Sequence, residues 1–303
     1  MLTILIPYYK ISFFRETLES LENQTCKDFK LFIGNDNSPD NPEALIEDVL
    51  VNTPFVYKKY DENLGGNNLV KQWNRVYQDA KVSEWFMILG DDDVLLPDFV
   101  EVFYKNLSEI QNNHCNAVKY RAKLIDENGD EKSDFSKFPT LLDPKDYFST
   151  KILYGSRSSL SEHVFRKNIF EKYGFREFPL AWESDNAALL ETSENQPIFF
   201  IDESGVLVRV SDENISGRKD NMKEKSTASI MFQKHIINHL GNRISSEALN
   251  YLIDLQIYYK YHEGIGLDIN LFKHYWVMGK YKKILALPKT YFTLWKHNHF
   301  SKI

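Results

Sequence analysis

The sequence predicts an α/β fold, with helices flanking a largely parallel sheet and a helical C-terminal extension after it. Three observations carry this expectation. Strand-like and helix-like segments alternate through the first third of the chain, which is the pattern of βα units. Clusters of Asn, Asp, Ser, Gly and Pro separate them, as turns require. From about Asn221 the character shifts to helical segments rich in Tyr, Ile and Leu.

Each element has its own reason. Residues 2–7 are an apolar first strand, and Ser12 is placed to cap a helix whose Phe14, Leu18 and Leu21 share one face. Residues 29–34 make the second strand, and 35–42 a loop of turn-forming residues. A helix begins at Glu43, a third strand spans 55–60, a turn occupies 63–66, and a helix carries Trp73 and Tyr77. Residues 84–89 form the fourth strand, and Pro97 suits the first turn of the following helix. Beyond Asn116 the pattern loosens: a strand at 119–125, a turn at 127–130, mixed segments to about Gly174, a helix over 183–194, and strands at 198–202 and 206–210. The expected division is a domain over residues 1–215 and an extension over 216–303.

Asp91, Asp92 and Asp93 follow the fourth strand directly. Each close pair of such carboxylates repels by roughly 1 to 4 kcal/mol, depending on solvation. Compensating hydrogen bonds or a bound divalent cation must offset that. The carboxyl ends of strands are also where ligands bind in open α/β sheets.

Bulk properties narrow the function. The net charge of −6 argues against a nucleic-acid binder, since phosphate backbones are held by surplus Lys and Arg. Cys26 and Cys115 lack metal-type spacing and are too few for a disulfide framework, which fits a reducing cytoplasm. No signal-peptide pattern precedes the first strand, and no apolar run reaches the about 18 residues of a membrane span.

Four stretches fall in a telling order: Thr3-Ile-Leu-Ile-Pro7-Tyr-Tyr9, Asn35-Asp36-Asn-Ser38, Asp91-Asp92-Asp93 with Pro97, and Trp182-Glu183-Ser-Asp185. Together they resemble the GT-A glycosyltransferases of family 2, over about residues 1–215. The resemblance implies the GT-A fold, a Rossmann-like mixed sheet flanked by helices. It also implies an inverting transfer of a sugar from a nucleotide diphosphate donor, UDP or dTDP favoured, to an acceptor hydroxyl.

Residue by residue, it implies that Pro7, Tyr9, Asp36, Asn63, Gly65, Asp91 and Arg209 hold the nucleotide. Asp36 would accept a hydrogen bond from the base, and Asp91 would hold ribose hydroxyls. Asp92, with Asp93 beside it, would ligate Mn²⁺ or Mg²⁺, while Arg209 would pair with phosphate oxygens. Gly65 would let backbone approach the nucleotide. Asp185 or Glu183 would be the catalytic base, and which of the two is open. The family usually has an acid where Asn35 stands, adjacent Glu-Asp where this chain reads Glu-Ser-Asp, and a His where Ser211 stands.

His163, between the metal motif and Asp185, reads more readily as a structural residue than as a ligand. Two rival functions stay open. A sugar nucleotidyltransferase would want a Gly-rich basic loop after the first strand, which Pro7-Tyr-Tyr-Lys-Ile-Ser12 does not supply. A catalytically inactive nucleotide-sugar-binding protein would keep the donor residues without a working base. The basic aromatic stretch from Lys273 onward is either a packed helical appendage or a peripheral contact with an anionic membrane face. The acceptor expected by analogy is a glycan, lipid-linked or part of a surface polysaccharide.

Overall fold

A computed structural model describes residues 1–262 and Trp276. The expected alternation appears as β1 (Leu2–Tyr8), α1 (Phe14–Glu22), β2 (Phe29–Asn35), α2 (Glu43–Val49), β3 (Phe55–Lys59), α3 (Leu69–Asp79) and β4 (Trp85–Ile88). There follow β5 (Val94–Leu95), α4 (Phe99–Asn112), β6 (Ala117–Ile125), β7 (Leu141–Leu142), α5 (Pro144–Tyr154), β8 (His163–Arg166), α6 (Lys167–Phe170), α7 (Ser184–Ser193) and β9 (Ile198–Arg209). α8 (Met222–His235) and α9 (Ser246–His262) complete the described elements.

The described strands form one mixed sheet in the order β3-β2-β1-β4-β8-β6-β9-β5, with β7 also on β9. β1 to β4 are mutually parallel where they pair. β8 runs antiparallel between β4 and β6, and β6 pairs parallel with β9. This is the GT-A architecture. The register sets Tyr8 opposite Asn35 and Leu5 opposite Ile88, so the carboxyl ends of β1, β2 and β4 share one edge. Pro7 is tolerated in β1 because its nitrogen faces the β4 side, beyond the last β4 ladder bond from Leu89 N–H to the Leu5 carbonyl.

The core lies on the sheet faces. Phe14, Leu18 and Leu21 of α1 are fully buried with Leu2, Ile4 and Ile6 of β1. Phe99 of α4 stacks on Tyr120 of β6 at 3.8 Å between centroids, and the Tyr120 hydroxyl donates to the Phe99 carbonyl. Each such buried side chain contributes about 1.5–3 kcal/mol.

Two caps differ from expectation. α1 starts after Phe13 with no side-chain cap, so its buried face rather than Ser12 fixes where it begins. α4 starts after Asp98, leaving Pro97 outside the helix, where the Asp98 carboxylate accepts instead from Ser204 Oγ at 2.6 Å.

The chain divides into compact units, Met1–Phe232 and a second beginning at Gln233, a boundary later than the expected 215/216. In the second unit, turns at Ile236–Leu240 and Gly241–Arg243 precede α9. No helix among the described residues is long and apolar enough to cross a membrane. The Lys-rich aromatic stretch from Lys273 lies outside the described residues, Trp276 excepted.

Candidate functional site

Because β1, β2 and β4 end together, Tyr9, Asp36 and Asp91 meet at the carboxyl edge. Asp91 Oδ2 accepts from the backbone N–H of Tyr9 at 2.7 Å and of Lys10 at 2.8 Å. The loop after β4 is thereby tied to the end of β1. The Tyr9 ring stays 39 % exposed, while its carbonyl accepts from Ser38 Oγ.

The three aspartates have unequal surroundings. Asp93 is buried, with Oδ1 accepting from Arg209 N–H at 2.9 Å and Oδ2 from Ser161 Oγ at 2.5 Å. Asp92 Oδ2 accepts from the Asn214 amide at 3.0 Å. Burial, then the charge of Asp92, pushes Asp91 up to about 6 and Asp93 up to about 8. Asp92 is also raised, chiefly by burial, with the Asn214 amide and the cations Lys10 and Arg209 opposing. Gly90 fits because a Cβ there would come within 2.9 Å of Asp92 Oδ1 and 3.0 Å of Asp93 Oδ2.

Asp36 holds a turn rather than standing free. Its Oδ1 accepts from Leu64 N–H at 2.8 Å and from Arg75 at 2.5 Å, and its Oδ2 from Gly65 N–H at 2.7 Å. Arg75 in turn lies 3.7 Å over the Tyr60 ring. A Cβ on Gly65 would meet Asp36 Oδ2 at 2.6 Å, so the close approach that this glycine permits is to Asp36. Asn63 Oδ1 closes the turn on Gly66 N–H at 2.6 Å.

Glu183 and Asp185 stand at the start of α7 behind a strained turn. Leu180, Ala181 and Glu183 have φ of 58°, 53° and 69°, the left-handed region that non-glycine residues rarely adopt. Glu183 takes the Asn186 amide on Oε2 at 2.8 Å. Asp185 is 8 % exposed, and burial, then the neighbouring Glu183 charge, pushes it up to about 7, with Lys151 opposing. The bidentate pair of Arg176 with Glu191, at 3.0 and 2.7 Å, fastens α7 to the preceding loop.

Beside this helix start lies a buried polar group. Lys119 Nζ and Glu162 Oε1 are 2.7 Å apart and at most 2 % exposed. The Glu162 oxygen also accepts from Ser158 Oγ and Ser159 N–H, so it is hydrogen-bonded as a buried charge must be. His163 is fully buried with Nε2 3.1 Å from Ser158 Oγ. Burial, with Lys119 and Lys151 nearby, holds it well below the usual histidine range and therefore neutral.

The glycosyl transferase family 2 profile matches residues 3–172. The chain belongs to that family. Among solved structures, S. aureus TarS 1–349 in complex with UDP-GlcNAc aligns with a TM-score of 0.56 at 15 % identity, covering 84 % of this chain and 78 % of that one. A longer S. aureus TarS gives 0.55 at 18 % identity over 78 % of this chain, which spans only 40 % of that TarS chain. GalNAc-T7 with UDP, GalNAc and Mn²⁺ gives 0.50 at 12 % identity, covering 84 % and 54 %. These likenesses share the fold. No match is found among curated proteins.

In this family 2 chain Arg209 is not free to meet phosphate. It is 1 % exposed, with Nε donating to the Asp92 carbonyl at 3.0 Å, one amino group to the Asp126 carbonyl at 2.8 Å and the other to Glu16 at 2.5 Å. The expectation of a phosphate contact is corrected accordingly: the guanidinium spends its donors bracing the end of β9. Arg209→Ala removes the side-chain donor to the Asp92 carbonyl and leaves the Asp126 carbonyl with Gly129 N–H alone, and costs about 1–3 kcal/mol, measurable as a lower urea midpoint. Lys10, which the sequence did not single out, is a second cation acting on Asp91 and Asp92, with Nζ donating to the Glu213 carbonyl.

The family implies a hard divalent cation, and the donor set fits one in a restricted way. The triplet offers only oxygen atoms. Among the described residues no three His, Cys, Asp or Glu side chains converge on a point. One or two carboxylates completed by substrate phosphate and water is a common arrangement for Mg²⁺. Asp92, with a single side-chain hydrogen-bond partner, suits this better than Asp93, whose oxygens are both committed.

Proposed function

We propose that this chain transfers a sugar from a nucleotide diphosphate donor, UDP or dTDP, to an acceptor hydroxyl with inversion at the anomeric carbon. The observation that carries the reading is the pairing of two unlike acidic centres. One is the triplet at the carboxyl edge of the sheet, and the other is the buried Asp185 with its carboxyl pushed up to about 7. The segment around residue 161 links them, since Ser161 touches Asp93 and Glu162 contributes to the field at Asp185.

Tyr9 and Asp36 frame the base end of the donor, Asp91 takes ribose hydroxyls, and Asp92 is the protein ligand for Mn²⁺ or Mg²⁺. When bound, that cation neutralises charge on the departing diphosphate. The acceptor oxygen attacks the anomeric carbon from the opposite face and gives its proton to Asp185 as the bond to diphosphate breaks. Glu183, at the left-handed position before α7, raises the basicity of Asp185 through its charge. The UDP-GlcNAc complex of TarS and the Mn²⁺ complex of GalNAc-T7 support the donor and metal classes. By family analogy the acceptor is a glycan, lipid-linked or of a surface polysaccharide, and the basic aromatic stretch from Lys273 is the segment for a peripheral membrane contact.

The test is a thermal-shift screen of UDP, dTDP, GDP and CMP with and without Mn²⁺. One nucleoside diphosphate raises the melting temperature by several degrees, and more with metal, as expected for a ligand well above its Kd. No response to any of the four overturns the reading.

A further inference from the structure

Ser161 occupies the point where the two ends of the acidic loop meet. Its Oγ accepts from Gly90 N–H at 3.0 Å and donates to Asp93 Oδ2 at 2.5 Å. Gly90 and Asp93 flank Asp91 and Asp92 in sequence, so a single hydroxyl brackets the two carboxylates assigned to the donor. Serine suits this task because its hydroxyl donates once and accepts at the same time.

The hydroxyl is itself well anchored. Ser161 is 2 % exposed and lies in a single helical turn, Leu160–Glu162. Glu162 pins that turn to β6 through the buried pair with Lys119 and to its own start through Ser159 N–H at 2.8 Å. On the far side, Asp93 Oδ1 is held by Arg209 N–H, and the Arg209 guanidinium holds the Asp92 carbonyl. Asp91 is fixed separately by the end of β1. A long backbone bond from Asp93 N–H to the Gly90 carbonyl, at 3.4 Å, closes the loop weakly; among side chains of the described residues, the Ser161 hydroxyl alone hydrogen-bonds to both Gly90 and Asp93.

We infer that Ser161 is a positioning residue of the donor site, aiming Asp91 and Asp92 by fixing Gly90 against Asp93. The inference rests on the reading of Asp91 and Asp92 as donor-facing carboxylates. Without the hydroxyl, Gly90 N–H and Asp93 Oδ2 lose a shared partner, and the long Asp93 N–H to Gly90 carbonyl bond is left as the direct tie across the loop. The loss falls on the cation-dependent part of donor binding, because that part needs Asp92 in one place. Residues orienting a metal ligand in this way typically change metal affinity by 10–100-fold when replaced.

The experiment is calorimetric titration of the full chain and of Ser161→Ala with UDP, or whichever nucleotide stabilises the wild type most, in Mn²⁺ and in EDTA. Melting temperatures without ligand are taken alongside. Ser161→Ala is expected to weaken binding in Mn²⁺ by about tenfold and to change binding in EDTA less than twofold. Ser161→Cys, which fills the site with a slightly larger side chain that is a weak donor and acceptor, carries the same expectation if the alanine variant unfolds. Equal affinities of variant and wild type in Mn²⁺, or an equal loss in both conditions, overturn the inference and leave the donor reading intact. A wild-type chain that binds no nucleotide in either condition overturns the donor reading itself, and this inference with it.

Discussion

Replacing Asp185 with Asn is expected to lower turnover by roughly 10²–10⁴-fold, the usual contribution of a general base, while donor binding persists. The isosteric amide cannot accept the acceptor's proton, yet it keeps the packing at the start of α7. The wild-type rate has a matching pH signature. Asp185 must be ionised to act, and its carboxyl lies near 7 instead of the usual 3.8. Turnover therefore rises about tenfold per pH unit below 7 and levels off above it.

Stability moves the other way. The folded state holds the Asp185 proton more tightly than the unfolded chain does, so the contribution of this group is greatest below pH 3.8 and is lost as pH rises to about 7. Asp185→Asn is thus more thermostable than wild type at pH 8, and the gap closes towards pH 4. A pH–rate profile and melting curves at the two pH values check both signs. Unchanged turnover in the variant would move the base to Glu183 or away from this helix start.

Asp92→Ala and Asp93→Ala are expected to fail differently. The first removes the carboxylate with the least protein engagement, so Mn²⁺-dependent binding of UDP is lost while the melting temperature barely changes. The second removes the partner of Arg209 N–H and of the Ser161 hydroxyl, both buried. Each orphaned group costs about 1–3 kcal/mol, so this variant melts earlier and binds UDP at least about tenfold better in Mn²⁺ than Asp92→Ala does. Titration with Mn²⁺ at fixed UDP separates the two. Equal losses of metal-dependent binding would mean that the register assigned from Pro97 is off by one residue.

Much of the α/β layer is legible in the sequence because its elements are periodic and long enough to carry a pattern. Phe14, Leu18 and Leu21 read as one helix face, and the run from Trp85 reads as a buried strand. β5, β7 and β8 are too short for any period, and the sequence assigns no strand to any of them. The triplet and Asp185 stand out because like charges or carboxylates in apolar company need an explanation. The resemblance places Arg209 at phosphate, because a sequence reveals that a guanidinium is present but not which oxygens its N–H groups reach. Ser161 carries no local signal at all: a serine ahead of a glutamate gives no hint of an aspartate far upstream. The left-handed turn at 180–183 is equally silent, since Leu, Ala and Glu are ordinary residues whose backbone is forced by what surrounds them.

The insertion of β8 between β4 and β6 has a consequence for the order in which the molecule is built. β4 leaves the ribosome with the acidic loop attached, but the strand that pairs with it and brings Ser161 to Asp93 is made only after α5. β9, which delivers Arg209 to the same carboxylate, comes later still. A nascent chain can pair its first four parallel strands and bury much of their apolar surface before either arrives. Until then, of the three carboxylates, Asp91 alone has its partners, the Tyr9 and Lys10 N–H groups at the end of β1. Long-range closures of this kind are slow steps in folding, so the acidic loop is expected to reach its final form late, with completion of the sheet.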